Sequence, residues 1–347
     1  MTDHAHRSSL RATRRRVLAT GAAAVAAAAL PAPVRASAIG ATMRERAARW
    51  LALLNPDQRR AARFDLASRR FRVWNYMLGS AFAPGVPLER MSGEQKDAAL
   101  DLLASGLSRE GLATALNIML QQDILRDEWG KGSPERNRER FSLMLFGDPT
   151  ASAPWGWRWE GHHLSLTYTL LGERVISVTP SAFASEPNTV PSGPHKGLVV
   201  LPEEEAVGRS VYTGLSEANR RAALLQRQSF GNILTTATRM DRVQAREGVP
   251  FADLPAETAE RLVRLVEVYS VDHLPAPLAD EQRTRLREGD LMGARFAWAG
   301  ADLDGPSIYY RLHGDTFLIE FATVRNQPQH HHTIRHDLSR NLGAHLL

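Results

Sequence analysis

Trp155-Gly156-Trp157-Arg158-Trp159-Glu160-Gly161-His162-His163-Leu164-Ser165-Leu166-Thr167-Tyr168-Thr169-Leu170 carries the decisive pattern of this 347-residue chain. Large apolar side chains recur at every second position, first on the tryptophans and then on Leu164, Leu166, Tyr168 and Leu170. That is the period of a half-buried strand. Glu160-Gly161 reads as the turn between two such strands, and Leu171-Gly172-Glu173 as a second turn into Arg174–Thr179, which gives an antiparallel meander. Phe141–Phe146 reads as a strand before it. Three tryptophans on one face could stack on a ligand, but on a strand they are the ordinary material of a core.

Upstream the period changes to that of helices. Asn55-Pro56-Asp57-Gln58 and Ser92-Gly93-Glu94-Gln95 are capping-box starts, and Ser108 caps a segment with Leu112, Ala115, Leu116 and Met119 on one face. Three or four helices are expected over residues 42–130. Downstream, Ser181 to Gly197 is rich in proline, glycine and serine and reads as a long loop, a type of segment that is more often functional than accidental. Helices follow around Glu203–Gly214, Ser216–Arg227, Glu257–Tyr269 and Asp280–Glu288. Strands return at Ala294–Ala299, Ser307–Leu312 and Thr316–Val324. The reading is an α+β fold, with an antiparallel sheet built from a central and a C-terminal strand group and packed against N-terminal and middle helices. One domain over residues 39–347 is expected.

The first 38 residues have a separate character. Thr13-Arg14-Arg15-Arg16-Val17-Leu18 fits a twin-arginine export pattern; a weakly apolar run, Gly21–Leu30, follows, and Ala36-Ser37-Ala38 offers a cleavage site. Residues 1–38 are therefore read as a signal peptide handled by the twin-arginine translocase. The released protein is expected to be periplasmic or secreted, with no stable membrane insertion. The charge supports the division. Of 43 basic and 38 acidic residues, six arginines and Asp3 fall in the first 38 positions, which leaves 37 of each sign in the remainder. The chain's net charge of +5 thus belongs to the leader, and a nucleic-acid partner is excluded on charge. The chain has no cysteine, so disulfides, thiolate metal sites and cysteine nucleophiles are excluded too.

Strong ligands are then histidines and carboxylates. His330-His331-His332 follows the last long strand, and on an extended segment His330 and His332 share a face about 7 Å apart. This H-x-H spacing lets two neutral imidazoles reach one metal; the plain alternative is a solvated histidine run. His162 falls in register with the apolar face of Leu164 and Leu166, and His163 with Ser165 and Thr167. His195 lies in the long loop. Glu320, within Phe317-Leu318-Ile319-Glu320-Phe321, is a carboxylate on an apolar face and needs a partner, either Arg311 on the adjoining strand or a metal or proton-transfer role. Glu203-Glu204-Glu205 after Pro202 reads as the solvated first turn of a helix. Asp272-His273 is an isolated pair. No zincin, α/β-hydrolase, P-loop or dinucleotide-binding signature occurs.

Taken together, several segments resemble a bacterial family known as domain of unknown function 3500. They are Trp155-Gly156-Trp157, Glu160 to Leu166, Gly193-Pro194-His195 with Gly197-Leu198, Phe296-Ala297-Trp298-Ala299-Gly300, and Tyr310-Arg311 with Phe317 to Glu320. The family's last strand runs into an N-H-x-H segment and an Arg-Asp pair. Here Gln329 replaces the asparagine, His330 and His332 match, and His336 intervenes between Arg335 and Asp337. The resemblance spans residues 42–347 and implies a residue list without a chemistry: His162, His163, His195, Glu320, His330 and His332. The reading that unites these is an exported metalloprotein, a metal-dependent hydrolytic or oxidative enzyme acting on a small molecule. Its metal ligands are drawn from His162, His163, His330 and His332, with His195 and Glu320 as catalytic groups. Zinc, iron or copper would suit such ligands. The alternatives are a metal-free periplasmic sensor or small-ligand binding protein, and a metal-free hydrolase with a histidine general base.

Overall fold

A computed structural model describes residues 32–78, 84–127, 133, 135–286, 290–300 and 305–346. The twin-arginine motif and the apolar run lie outside the described residues. The Ala36-Ser37-Ala38 segment falls inside the first described helix, α1 (Ala32–Leu53). Next come α2 (Pro56–Ala62), α3 (Arg69–Arg72), α4 (Gly93–Gly106) and α5 (Arg109–Asp127). Both capping boxes form as read: Asn55 and Gln58 close the start of α2, and Ser92 and Gln95 that of α4. The Ser108 hydroxyl accepts the Gly111 N–H at the start of α5.

Thirteen strands make one sheet. They are β1 (Arg63–Phe64), β2 (Val86–Pro87), β3 (Ser142–Phe146), β4 (Pro154–Gly161), β5 (Leu164–Leu171), β6 (Arg174–Ser177), β7 (Ser181–Ser185), β8 (Leu224–Gln226), β9 (Val249–Pro250), β10 (Arg295–Ala299), β11 (Tyr309–His313), β12 (Phe317–Val324) and β13 (Gln327–Asp337). The main path runs β1-β3-β4-β5-β7-β13-β12-β11-β10-β8. All its pairs are antiparallel except β1 with β3 and β8 with β10. The expected α+β fold, with its two strand groups, is therefore the fold observed.

The groups are joined by an element that the sequence reading placed in a loop. Ser181–Ser185 is strand β7, inserted between the two groups: Leu164 of β5 pairs with Phe183, and His332 of β13 with Ala184. The meander's first turn also shifts. Gly161 pairs with Leu164, so the turn residues are His162 and His163 rather than Glu160 and Gly161. Beyond Val324 the chain turns back as β13, which runs the length of β12.

The two faces are covered differently. On one, Trp155, Trp157, Trp159, Leu166 and Tyr168 pack under α1, α4 and α5, and all three tryptophans are fully buried core. The same face of the C-terminal group, through Trp298, Tyr310, Ile319 and Phe321, is covered by α6 (Glu204–Thr213) and α8 (Ala256–Ser270). Between those two lies α7 (Glu217–Ala223), and after them comes α9 (Ala276–Arg285). Among the described residues, no long helix covers the opposite face. Trp74, Tyr76, Ile233 and their neighbours, from two irregular segments, pack on Ala182, Ala184, Ala322 and Ile334. Small residues on β7 and β12 let these segments approach the sheet closely.

Phe183 is the one large apolar side chain of β7. Its replacement in Phe183→Ala is expected to lower the unfolding free energy by about 3–5 kcal/mol in urea titration. A loss below about 1 kcal/mol would show that β7 does not hold the two strand groups together.

Candidate metal centre

The β4–β5 turn places His163 in a backbone conformation that few side chains adopt, with φ +71°. Glycine would hold this position without strain, and an imidazole here costs on the order of 1–3 kcal/mol. The backbone is fixed from both sides. The His163 N–H donates to the Tyr76 carbonyl at 2.8 Å, and its carbonyl accepts the Ala184 N–H of β7 at 2.8 Å. These two bonds aim the ring across the seam toward β13. There His330 and His332, two apart on a strand, share one face as their spacing predicted.

The three rings meet through Nε2. His163 Nε2 and His332 Nε2 each lie 3.0 Å from His330 Nε2. Among the described residues, His163, His330 and His332 form a group whose ligand atoms all fall within 4.8 Å of one another. Neighbouring nitrogens around a tetrahedral ion with metal–nitrogen bonds of about 2.0–2.1 Å would stand roughly 3.4 Å apart. His163 and His332 are buried, and His330 reaches the rim with 13% of its side chain exposed.

Hydrogen bonding on the far side of the rings decides what Nε2 can do. His332 Nδ1 lies 2.8 Å from Asn232 Oδ1, and that oxygen also accepts the Ile233 N–H, which fixes the amide's orientation. His330 Nδ1 lies 3.0 Å from Gln327 Oε1 and 3.8 Å from Glu186 Oε1. Both Nδ1 atoms therefore carry the proton, and both Nε2 atoms present lone pairs to each other. Two lone pairs at 3.0 Å repel unless a cation stands between them. A proton on His163 or His332 is a poor candidate. Burial, reinforced by the neighbouring histidines, holds the His163 and His332 pKa values well below the usual imidazole range. The buried His163 Nδ1 has no hydrogen-bond partner among the described residues. Three convergent Nε2 atoms, two of them on rings whose Nδ1 atoms are held by amide oxygens, are a donor set that suits a divalent transition metal.

The other candidates take different places. His162 is not in the group. Its ring stacks on His163 at 3.7 Å and its Nδ1 meets Gln122 Oε1 at 2.7 Å, so it forms a wall of the site. The expected division of His162 and His163 between two strand faces fails because both are turn residues. His195 also lies outside the group, in a turn where its carbonyl accepts the Leu198 N–H. Glu320 is fully buried, and neither Arg311 nor the histidine group satisfies it. It accepts from the N–H groups of Leu234 and Thr235 and from the hydroxyls of Thr235 and Tyr309. Arg311 pairs with Glu247 instead.

Glu320 thus clamps the 229–239 segment, whose Asn232 supports His332. Asn232, Glu186, Gln122, Gln327 and Tyr76 are site residues that sequence reasoning missed. Asn232, Glu186, Gln122 and Tyr76 carry no local signal, because each reaches the histidines from a distant or irregular part of the chain, whereas Gln327 stands three residues before His330 on β13. Gln329, at the position of the family's asparagine, accepts the Thr189 N–H and braces the loop after β7.

Residues 36–343 match the family described as "Protein of unknown function (DUF3500)", and the chain belongs to that family. No curated protein and no solved structure matches it.

Burial keeps these imidazoles neutral in the folded chain, and His336, beside Thr235, is pushed down to about 3 by the same cause. Unfolded histidines take up a proton near pH 6.5. Below that pH the unfolded state binds more protons, so stability falls as pH is lowered from about 6.5 toward 3, by up to about 1.4 kcal/mol per pH unit per buried ring. Urea unfolding of chelator-treated protein at a series of pH values should show this slope, reduced in His336→Gln. A flat profile would contradict it.

Proposed function

We propose that this chain is an exported metalloprotein whose three-histidine centre makes it a metal-dependent enzyme acting on a small molecule by hydrolysis or oxidation. One observation carries the reading: the convergence of the His163, His330 and His332 Nε2 atoms, with the Nδ1 protons of His330 and His332 held by Gln327 and Asn232. Zinc, iron or copper fits this set. Three protein ligands leave a coordination position open, and a metal there would supply a Lewis acid able to activate water or polarise a substrate oxygen.

The protein's own residues do the rest. His330 opens the centre toward the surface, while the His162 ring stacks on His163 and the Tyr76 ring meets His332 in a T-shaped contact. Glu186 couples His330 to Arg136, with contacts of 3.8 Å and 3.5 Å, and so places a carboxylate behind the most exposed ring. Export rests on the Thr13–Leu18 pattern. The family match begins only at residue 36, which supports a separate role for the preceding segment. Among the described residues, no helix is long and apolar enough to cross a membrane.

Protein purified without chelators is expected to contain close to one transition-metal ion per chain by mass spectrometry. A His330→Ala/His332→Ala double variant should lose it. Asn232→Ala should keep the fold and weaken metal affinity about 10–100-fold, because it removes the acceptor that orients His332. Metal at trace level in the wild type, or unchanged in the double variant, would overturn the metal reading and favour a metal-free ligand-binding site.

A further inference from the structure

Glu203-Glu204-Glu205 and Asp272-His273, which the histidine centre does not use, meet on the helical face of the sheet, opposite His330 and His332. Glu203, Glu204, Asp272 and His273 line a cleft of about 590 Å³ between the starts of α5, α6 and α9 and the end of α8, while Glu205 turns away to His331 and Arg209. That volume is in the range of small-molecule sites. The first turn of α6 is not the solvated one its sequence suggests. Glu203 pairs with Arg264, which also contacts Asp272 at 2.7 Å, so this guanidinium is shared by two carboxylates. Arg283, at the other wall, pairs with Asp280 and Glu267. His273 is pushed down to about 4 by burial and brings no charge.

Among the described residues, no cation pairs with Glu204. It is 2% exposed, and its carboxyl accepts only from backbone N–H groups of its own first turn, that of Glu203 lying at 3.3 Å. Burial, reinforced by the charges of Glu203 and Asp272, pushes its pKa up to about 7. The Tyr310 hydroxyl donates to the Glu204 carbonyl at 2.6 Å and so fixes its backbone. Val268, Val271, Leu274 and Ala279 make the cleft's apolar wall. A buried carboxyl next to an aliphatic wall is relieved by a compact, three-donor ammonium group and repels an anion.

We propose that this cleft binds a protonated primary amine on a short aliphatic chain, with the ammonium on Glu204 and the chain along Val268, Val271 and Leu274. Such an amine comes either from a free small molecule or from a lysine side chain.

Calorimetric titration of the full chain near pH 7 with n-butylammonium tests this. Saturable binding is expected, with proton release that tracks the buffer's ionisation enthalpy as Glu204 ionises. Butyrate should not bind. Glu204→Gln, which removes the charge and keeps the side chain's size, should preserve the fold and weaken binding roughly tenfold or more. Ala279→Trp should block binding with the carboxyl intact. Tighter binding of Nα-acetyl-lysinamide than of butylammonium would assign the amine to a partner's lysine, and the reverse order to a free metabolite. Equal binding of butyrate, no saturable heat with any amine, or an unchanged affinity in Glu204→Gln would overturn the proposal.

Discussion

Strand β7 is five residues long, and the arrangement of the whole sheet depends on its being hydrogen-bonded on both edges. On one edge it continues the ladder of the central meander; on the other it pairs with β13. This joins the central meander to the C-terminal strands and sets His163 beside residues 167 positions away. Register is the constraint that matters. Side chains alternate strictly along a strand, so a slip of one residue in β13 would turn His330 and His332 toward the helices and His331 toward the site. Phe183 and Ala184 oppose such a slip, because a large ring and a methyl group suit opposite faces and do not exchange. The His163 carbonyl bonded to the Ala184 N–H ties the turn to the same register.

Around the centre, support is polar and comes from irregular chain. Asn232 orients His332 and is itself held because Glu320 gathers the Leu234 and Thr235 amides beneath it. Thr235 then meets His336 Nε2 at 3.1 Å, and His336 Nδ1 meets the Asn341 amide at 2.9 Å. A buried carboxylate with four donors is satisfied without a counter-ion, which explains why Glu320 lies on an apolar face without an arginine. Such networks fix geometry more than they add stability, since each member would be costly to leave unpaired. In this fold, that geometry is the direction in which an imidazole lone pair points.

Much of this was legible in the sequence, for physical reasons. The alternating tryptophans could only be a strand with one face in a core, and the capping boxes at Asn55 and Ser92 marked helix starts by hydrogen bonds that are local in sequence. The H-x-H spacing placed His330 and His332 on one face by strand geometry alone. What stayed hidden was non-local. Ser181-Ala182-Phe183-Ala184-Ser185 has the composition of a loop, and it is a strand only because both neighbours supply edges and both faces supply cover. The His162-His163 turn was misplaced by two residues because Glu160-Gly161 is the better turn by composition; tertiary hydrogen bonds to Tyr76 and Ala184 decided otherwise. Glu186, Asn232 and the donors to Glu320 meet their partners only after the sheet has closed, so no local pattern could announce them.

The site also has a mechanical aspect. His163 belongs to the central meander and His330 to the last strand, so an ion gripped by both would be a staple closing a loop of 167 residues. The entropy lost on closing such a loop grows only with the logarithm of its length, so even a remote staple acts mainly by restricting the unfolded chain. Stripping such an ion would therefore lower the stability of the whole sheet by restoring freedom to the unfolded chain. With an ion in place, metal supply and the cohesion of the two halves would be coupled quantities.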